Sequence, residues 1–373
     1  MFLVLELGIQ QIEVYRVVLN NKEPFKIATE TIAEIHNVVV KIVTDYGIIG
    51  WGESSPSKRV TGENAETVIK VLDKIAPKLI GMCPLCIERD VELMDSIVKK
   101  NPAAKAAVDI ALHDILGKTA SKPLFRLLGG YRKEVLTDLT LSIKSPKEMA
   151  KDAQKAVKSG FKAIKVKIGV NPAEDVERIR LIREAVGEDI QLRIDANQGW
   201  MPKQAIEALT KMEKFNIQFV EQPVPAENIK GLIKVRKNSP IPVMADESVH
   251  SPEDALRLIQ AEAIDYINIK LMKSGGIHKG RKISAIAEAA GIPCMIGCMA
   301  ESEIGIAAGA HLAAAIKNIQ YADLDSDLFL KETLVKEGGT KVKNSMRTFP
   351  RLDGLGIKAL NEQLLGKPKK IYK

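Results

Sequence analysis

Lys167, Asp195, Glu221, Asp246 and Lys270 follow one another at steps of 28, 26, 25 and 24 residues. Three of the five are carboxylates at consecutive steps. Carboxylates gathered at one place repel, and burial makes the repulsion costly unless a cation sits between them. Oxygen ligands alone, with room left for water, suit Mg²⁺. Lysines flank the trio. Lys165 and Lys167, two apart on an extended segment, share a face, and Lys270 follows the last carboxylate. A lysine beside a second cation has its pKa lowered and serves as a base near neutral pH. Two such bases on either side of a metal-held carboxylate would exchange the proton on the carbon α to it. The plainer alternative is a set of ion pairs between these lysines and acids. Further on, Asp323 and Asp325 would make an anionic pocket for one cation. A second metal site or ordinary solvated acids are the alternatives there.

These residues end short strand-like runs. Eight such runs, at 137–143, 163–168, 191–196, 217–222, 241–246, 266–271, 294–298 and 319–325, recur about every 25 residues. Between them lie seven segments of helical spacing, among them 146–159, 172–186, 202–215 and 252–261. Several open on Ser-Pro, Asn-Pro or Met-Pro, with proline in the first turn where its missing N–H costs nothing, and Gly160 and Gly291 stand where helices must stop. Strand and helix in alternation, joined by right-handed crossovers, close a parallel sheet. The expected fold is α/β: a modified TIM barrel of the (β/α)7β kind over residues 131–349, since 328–340 carries no amphipathic stripe. Active sites of such barrels lie at the C-terminal ends of the strands, where the charged residues above fall. Residues 1–130 differ in texture. Strand-like runs at 12–19 and 38–43, glycines at 47, 50 and 52, and helical runs at 63–79 and 103–116 predict an α+β domain, and 350–373 is expected to pack back on it.

Composition narrows the function classes. The 373 residues are 46% hydrophobic and 27% charged, enough to bury a large core and unlike a disordered chain. The net charge of +8 is scattered, and the 16 aromatics do not interleave with basic runs, so nucleic-acid binding is disfavoured. The N-terminus lacks the basic stretch and cleavage site of a secretory signal, and the longest weakly polar run, 304–316, is too short for a bilayer span. A cytoplasmic protein is expected. The four cysteines, Cys83 and Cys86 with Cys294 and Cys298, read as reduced thiols rather than a zinc ribbon or disulfide framework.

Taken together, Lys165-x-Lys167, Asp195-Ala196-Asn197, Glu221-Gln222-Pro223, Asp246-Glu247-Ser248 and Asn268-Ile269-Lys270 resemble the enolase superfamily, specifically its muconate lactonizing enzyme subgroup. The similarity extends to Gly50-Trp51-Gly52-Glu53 and Leu128-Gly129-Gly130. It implies that the N-terminal domain caps the barrel, that Asp195, Glu221 and Asp246 hold an essential Mg²⁺, and that Lys167 and Lys270 are a two-sided acid/base pair, the superfamily's own use of lysine with Mg²⁺. Lys165 would help to hold the substrate carboxylate. Asp323-Leu324-Asp325 matches the Asp-x-Asp signature of the subgroup's dipeptide epimerases, in which it binds the substrate's α-ammonium group. Thr140 and Cys298 would also line the substrate site. The resemblance thus implies a small dipeptide substrate and a homo-oligomer. The alternatives are an N-acylamino acid racemase, an o-succinylbenzoate synthase or a muconate cycloisomerase. Specificity is expected from loops near 25–31 and 54–62, where Glu30 opposes an acidic side chain while Lys26, Lys58 and Arg59 favour one.

Overall fold

The computed structural model describes residues 7–373. Ile9–Lys26 and Thr31–Thr44 form a long antiparallel hairpin, extended by Ile49–Ser54 on one side and by the C-terminal strand Lys370–Tyr372 on the other. The hairpin outruns the expected segments because its distal half, with Asn20, Asn21, Lys22 and Glu23, is polar and partly exposed. The register there slips between Asn20 and Phe25, so no apolar alternation marks it. Three helices, Ala65–Leu79, Ile87–Ile97 and Pro102–Thr119, cover this sheet. The last is alanine-rich and buried almost all round. It lies so close to Ile49–Ser54 that a Cβ on Gly52 would stand 1.9 Å from the Ala107 carbonyl oxygen, which is why the strand reads Gly-x-Gly. The helix Ile87–Ile97 escapes sequence reading because it buries few apolar side chains, Ile87, Val91 and Met94.

The barrel strands are Leu139–Leu141, Ala163–Lys167, Gln191–Asp195, Ile217–Glu221, Val243–Ala245, Tyr266–Lys270, Cys294–Gly297 and Ile319–Asp323, numbered here first to eighth. They form one parallel eight-stranded sheet in sequence order, and seven helical connections surround it. Pro146, Pro172, Pro202 and Pro252 each sit in the first turn of their helix. After the eighth strand the chain runs through a short 3₁₀ turn and small antiparallel pairs instead of an eighth helix. The first and fifth strands are shorter than expected. Side chains take backbone donors there, Thr140 N–H within the first strand donating to Asp325 Oδ2 (2.6 Å) and Asp246 N–H, just past the fifth, to Gln222 Oε1 (2.9 Å). The seam between eighth and first strands is closed by that Thr140 bond and by Leu324 N–H donating to Thr137 Oγ1 (2.9 Å).

Every second residue below the strand ends points inward and builds a floor. Arg193 is 1% exposed, pairs with Asp138 at 2.8 Å and lies over the rings of Phe219 and Tyr321. Buried carboxylates of the N-terminal unit bind backbone N–H groups of the barrel's helices. Asp109 accepts from Ile277 (2.5 Å), and Glu53 from Ser302 (3.0 Å) and Gly305 (2.8 Å). Helix N-termini carry unpaired donors and partial positive charge, so each carboxylate satisfies both at once. No helix of the described residues is long and apolar enough to cross a membrane.

Candidate active site

The strand ends deliver their charged side chains to one place. Asp195, Glu221 and Asp246 are each at most 1% exposed, on or just past the third, fourth and fifth strands. Lys165 Nζ lies 2.6 Å from Asp323, 2.8 Å from Glu221 and 3.1 Å from Asp195. Lys167 Nζ is 2.6 Å from Asp195, and Lys270 Nζ is 2.8 Å from Asp246 Oδ2. In a ring of eight strands, members four apart stand opposite each other. The second strand's Lys167 therefore faces the sixth strand's Lys270 across the mouth, and the fourth strand's Glu221 faces the eighth strand's Asp323.

Above them is a cavity of about 320 Å³ whose lining includes Thr140, Lys167, Asp246, Lys270, Cys298, Asp323 and Asp325. Lys165, Asp195 and Glu221 are tied together just outside that lining. The roof comes from the N-terminal hairpin and the loop after Ile49–Ser54. Among the cations of those loops, Arg59 lines the cavity and Lys26 and Lys58 do not. Cys298 Sγ and the Asp323 and Asp325 carboxylates lie within 4.8 Å of one another, and all four cysteines are free thiols.

The protein's own carboxylates set the state of two of the lysines. Burial pulls Lys270 down, but the Asp246 and Glu221 carboxylates outweigh it and hold its pKa above the ordinary lysine value. Lys165 is raised in the same way, burial being outweighed by Asp323, Glu221 and Asp195. The carboxylates themselves supply the field, so Lys165 and Lys270 stand as ion pairs with them. Burial, together with the neighbouring Asp195 charge, pushes Glu221 up to about 8. Burial and Asp323 push Asp325 to about 7.

Glu221 Oε2 and Asp246 Oδ1 are buried, and the ammonium groups of Lys165 (2.8 Å) and Lys273 (2.5 Å) are the donors beside them. These two carboxylate oxygens on adjacent strands, with Asp195 next to them and no donor but the lysines, fit a hard divalent cation. The backbone supports the same cluster under strain. Asn197, Gln198 and Gln222, directly after the third- and fourth-strand carboxylates, hold φ of 39°, 69° and 35°, values that non-glycine residues keep only where the surroundings enforce them. Gln222 shows how: its Oε1 accepts from Asp246 and Ser248 N–H, and its Nε2 donates to Val224 O and Ser248 Oγ.

Sequence reading missed Lys273. Its ammonium group is 1% exposed, lies 2.5 Å from Asp246 Oδ1 and donates to the carbonyls of Asp246 and Val249. The available signal was its position three residues after Lys270, on the same side of the one-turn helix Leu271–Ser274. Asn268, which donates to Glu221 Oε1 at 2.9 Å, stood in the motif but had no role assigned.

Known proteins resemble this chain over most of its length. Residues 11–129 match the family model of the mandelate racemase / muconate lactonizing enzyme N-terminal domain, and residues 148–363 match that of the enolase C-terminal domain-like family. An L-Ala-D/L-Glu epimerase of Clostridium acetobutylicum is 46% identical over 91% of this chain and 96% of its own length. A hydrophobic dipeptide epimerase of Enterococcus faecalis is 45% identical over 94% of this chain and 99% of its own length. The crystal structure of the Enterococcus faecalis dipeptide epimerase with Mg and L-Leu-L-Tyr superposes with a TM-score of 0.92, at 44% identity, covering 94% of this chain and all of that one. With its paired domains, its strand-end carboxylates and these relatives, the chain belongs to the mandelate racemase / muconate lactonizing enzyme family of the enolase superfamily.

Proposed function

We propose that this chain is a Mg²⁺-dependent dipeptide epimerase that inverts the α-carbon of the C-terminal residue of L-Ala-L-Xaa dipeptides, L-Ala-L-Glu or a broader set. The observation that carries it is the opposition of two pairs around the mouth: Lys167 against Lys270, and the Asp195–Glu221–Asp246 arc against Asp323 and Asp325. A dipeptide is bipolar. Its carboxylate fits the arc with the three acids and their cation, its ammonium group fits the two aspartates, and its α-carbon then lies between the lysines. The relatives named above, one with Mg and a dipeptide bound, support the reading.

Asp195, Glu221 and Asp246 would hold the metal, with Asn268 and Lys273 orienting Glu221 and Asp246. Mg²⁺ held there would offset the carboxylate charge around Lys165 and Lys270 and would stabilise negative charge on the substrate carboxylate. Lys167, as free amine, takes the α-proton from the L-configured substrate, and the C–H electron pair passes into the carboxylate as an enediolate. Lys165 sits among the carboxylates as a fixed positive charge for that group. Lys270, as ammonium, returns a proton to the opposite face and gives the D-configured residue. The reverse reaction exchanges the two roles. Thr140 and Cys298 line the dipeptide site, and Thr140 orients both aspartates through its N–H and Oγ1.

The same reading takes residues 1–130, completed by 350–373, as a cap on a barrel unit of 131–349. It takes the enzyme as a homo-oligomer and, on its four free cysteines, as cytoplasmic. The test is incubation in D₂O with Mg²⁺ and a library of L-Ala-L-Xaa dipeptides, each weighed by mass spectrometry. A one-dalton gain in a restricted set of dipeptides is expected. No exchange in any of them, from folded protein with Mg²⁺ present, overturns the proposal and favours an acylamino acid or cycloisomerase substrate.

A further inference from the structure

We infer that Glu30 and Arg59 form a charge-cancelling pair on the roof of the cavity, so that the substrate side chain reaching the roof is apolar and uncharged. The inference rests on the dipeptide reading and narrows its substrate.

Both residues line the cavity, and Arg59 Nε lies 3.7 Å from Glu30 Oε2. They come from different loops, each fixed at its base. Glu30 closes a turn in which Ile27 N–H donates to its carbonyl at 2.9 Å. That turn is docked on the barrel by Lys26 N–H to Ser142 Oγ (2.7 Å) and by Ile143 N–H to the Lys26 carbonyl (2.9 Å). Arg59 follows Ser57, whose carbonyl accepts from Thr61 N–H at 2.9 Å, and Ser55 Oγ ties the loop to the Ala300 carbonyl at 2.7 Å. The pair is therefore placed by two anchored backbones.

The remaining charges around the cavity belong to the barrel mouth, where the dipeptide's own carboxylate and ammonium groups use them. Among the described residues of the N-terminal unit, the lining takes one cation, Arg59, and one anion, Glu30. Around them are Phe25, Ile27, Ile32 and Val60, facing Met299 and Phe329, and the Phe25 and Phe329 rings lie 5.0 Å apart.

The pair is half-open to solvent, 58% exposed at Arg59 and 35% at Glu30, so it binds weakly and leaves neither charge locked away. An acidic side chain attracted by Arg59 meets Glu30 at nearly the same range. A basic one attracted by Glu30 meets Arg59. In each case attraction and repulsion offset, while the cost of drawing a charge out of water remains. An apolar side chain meets no such cost and covers the aromatic and aliphatic lining. Removing one member of the pair leaves the other uncancelled and gives the roof a sign.

The test measures kcat/KM for L-Ala-L-Leu, L-Ala-L-Glu and L-Ala-L-Lys with Mg²⁺, using wild type, Glu30→Gln, Arg59→Gln and the double variant. Wild type is expected to prefer the leucine dipeptide. Glu30→Gln should raise the glutamate rate relative to lysine by about fivefold, the size of a weak exposed ion pair, and Arg59→Gln should shift the ratio the other way by a similar factor. The double variant should return the ratio close to that of wild type. A wild type that prefers a charged side chain to leucine overturns the inference, as do single variants that move both charged substrates in the same direction. If wild type turns over none of the three and exchanges no dipeptide in D₂O, the epimerase reading fails and this inference falls with it.

Discussion

Replacing Lys270 by alanine should separate proton removal from inversion. The two lysines stand on strands four apart in a ring of eight, so in the proposed mechanism each serves one face of the α-carbon. Without Lys270 the L-configured substrate still meets Lys167, loses its α-proton and regains a solvent proton from the same side. The opposite face has no substitute donor, because Lys273 is committed to Asp246 Oδ1 at 2.5 Å and to the Asp246 and Val249 carbonyls. A positioned acid or base contributes about a hundred- to ten-thousandfold, or about 3–5 kcal/mol of barrier, and inversion should fall by that factor. Deuterium uptake by the L-substrate should stay within about tenfold of wild type. The fold should survive, because Asp246 keeps Lys273 and loses one charged hydrogen bond, worth about 2 kcal/mol. The assay is parallel ¹H NMR for exchange and chiral chromatography for inversion, in D₂O with Mg²⁺, run from both epimers. Lys167→Ala should give the mirror result, with exchange retained from the D-configured side. Inversion by Lys270→Ala within tenfold of wild type refutes the two-base reasoning, as does equal loss of exchange from both epimers in folded protein.

Other outcomes follow from the same contacts. Lys273→Met leaves a buried Asp246 oxygen and two carbonyls without their cation, which should cost about 3–5 kcal/mol in urea unfolding; an unchanged midpoint would show that the pair is not structural. Gly52→Ala drives a Cβ into the Ala107 carbonyl at 1.9 Å, so the helix Pro102–Thr119 must leave the sheet, and a strong fall in melting temperature should follow. His311 is 1% exposed, accepts from Phe125 N–H at 3.0 Å, and burial lowers its pKa to about 4. Between pH 6.5 and 4 the unfolded chain binds a proton there that the folded chain refuses. Stability is full above pH 6.5 and falls with pH by about 3 kcal/mol, a slope that His311→Gln should flatten in denaturant titrations. Mg²⁺ at a hundred times its dissociation constant should raise unfolding stability by about 2.7 kcal/mol. A chelator should remove that gain and deuterium exchange together.

The barrel was legible because its repeat is local. Each strand–helix unit carries its own apolar run, four of the seven helices open on a proline, most strands end in charge, and Asp195, Glu221 and Asp246 keep the period. The polar end of the long hairpin was not legible because it carries no apolar alternation, and the helix Ile87–Ile97 because its apolar stripe is only Ile87, Val91 and Met94 among charged residues. Their form comes from what they lie against. Lys273 likewise looks like one more lysine of a basic chain until Asp246 and the Val249 carbonyl are brought to it.

By itself the sequence determined the architecture, the identity of the charged residues at the strand ends and the class of chemistry they can perform, since spacing along a periodic chain becomes position around a ring. Tertiary structure alone decided the state and the selectivity of those charges. Closure of the ring sets Lys165 against three carboxylates and Lys270 against Asp246, and those carboxylates hold both lysines above the ordinary value. Folding of the N-terminal unit over the mouth brings Arg59 to Glu30 and leaves Lys26 and Lys58 outside the cavity. Coulomb interactions depend on distance and burial, and for residues far apart in the chain neither is set until the fold is made.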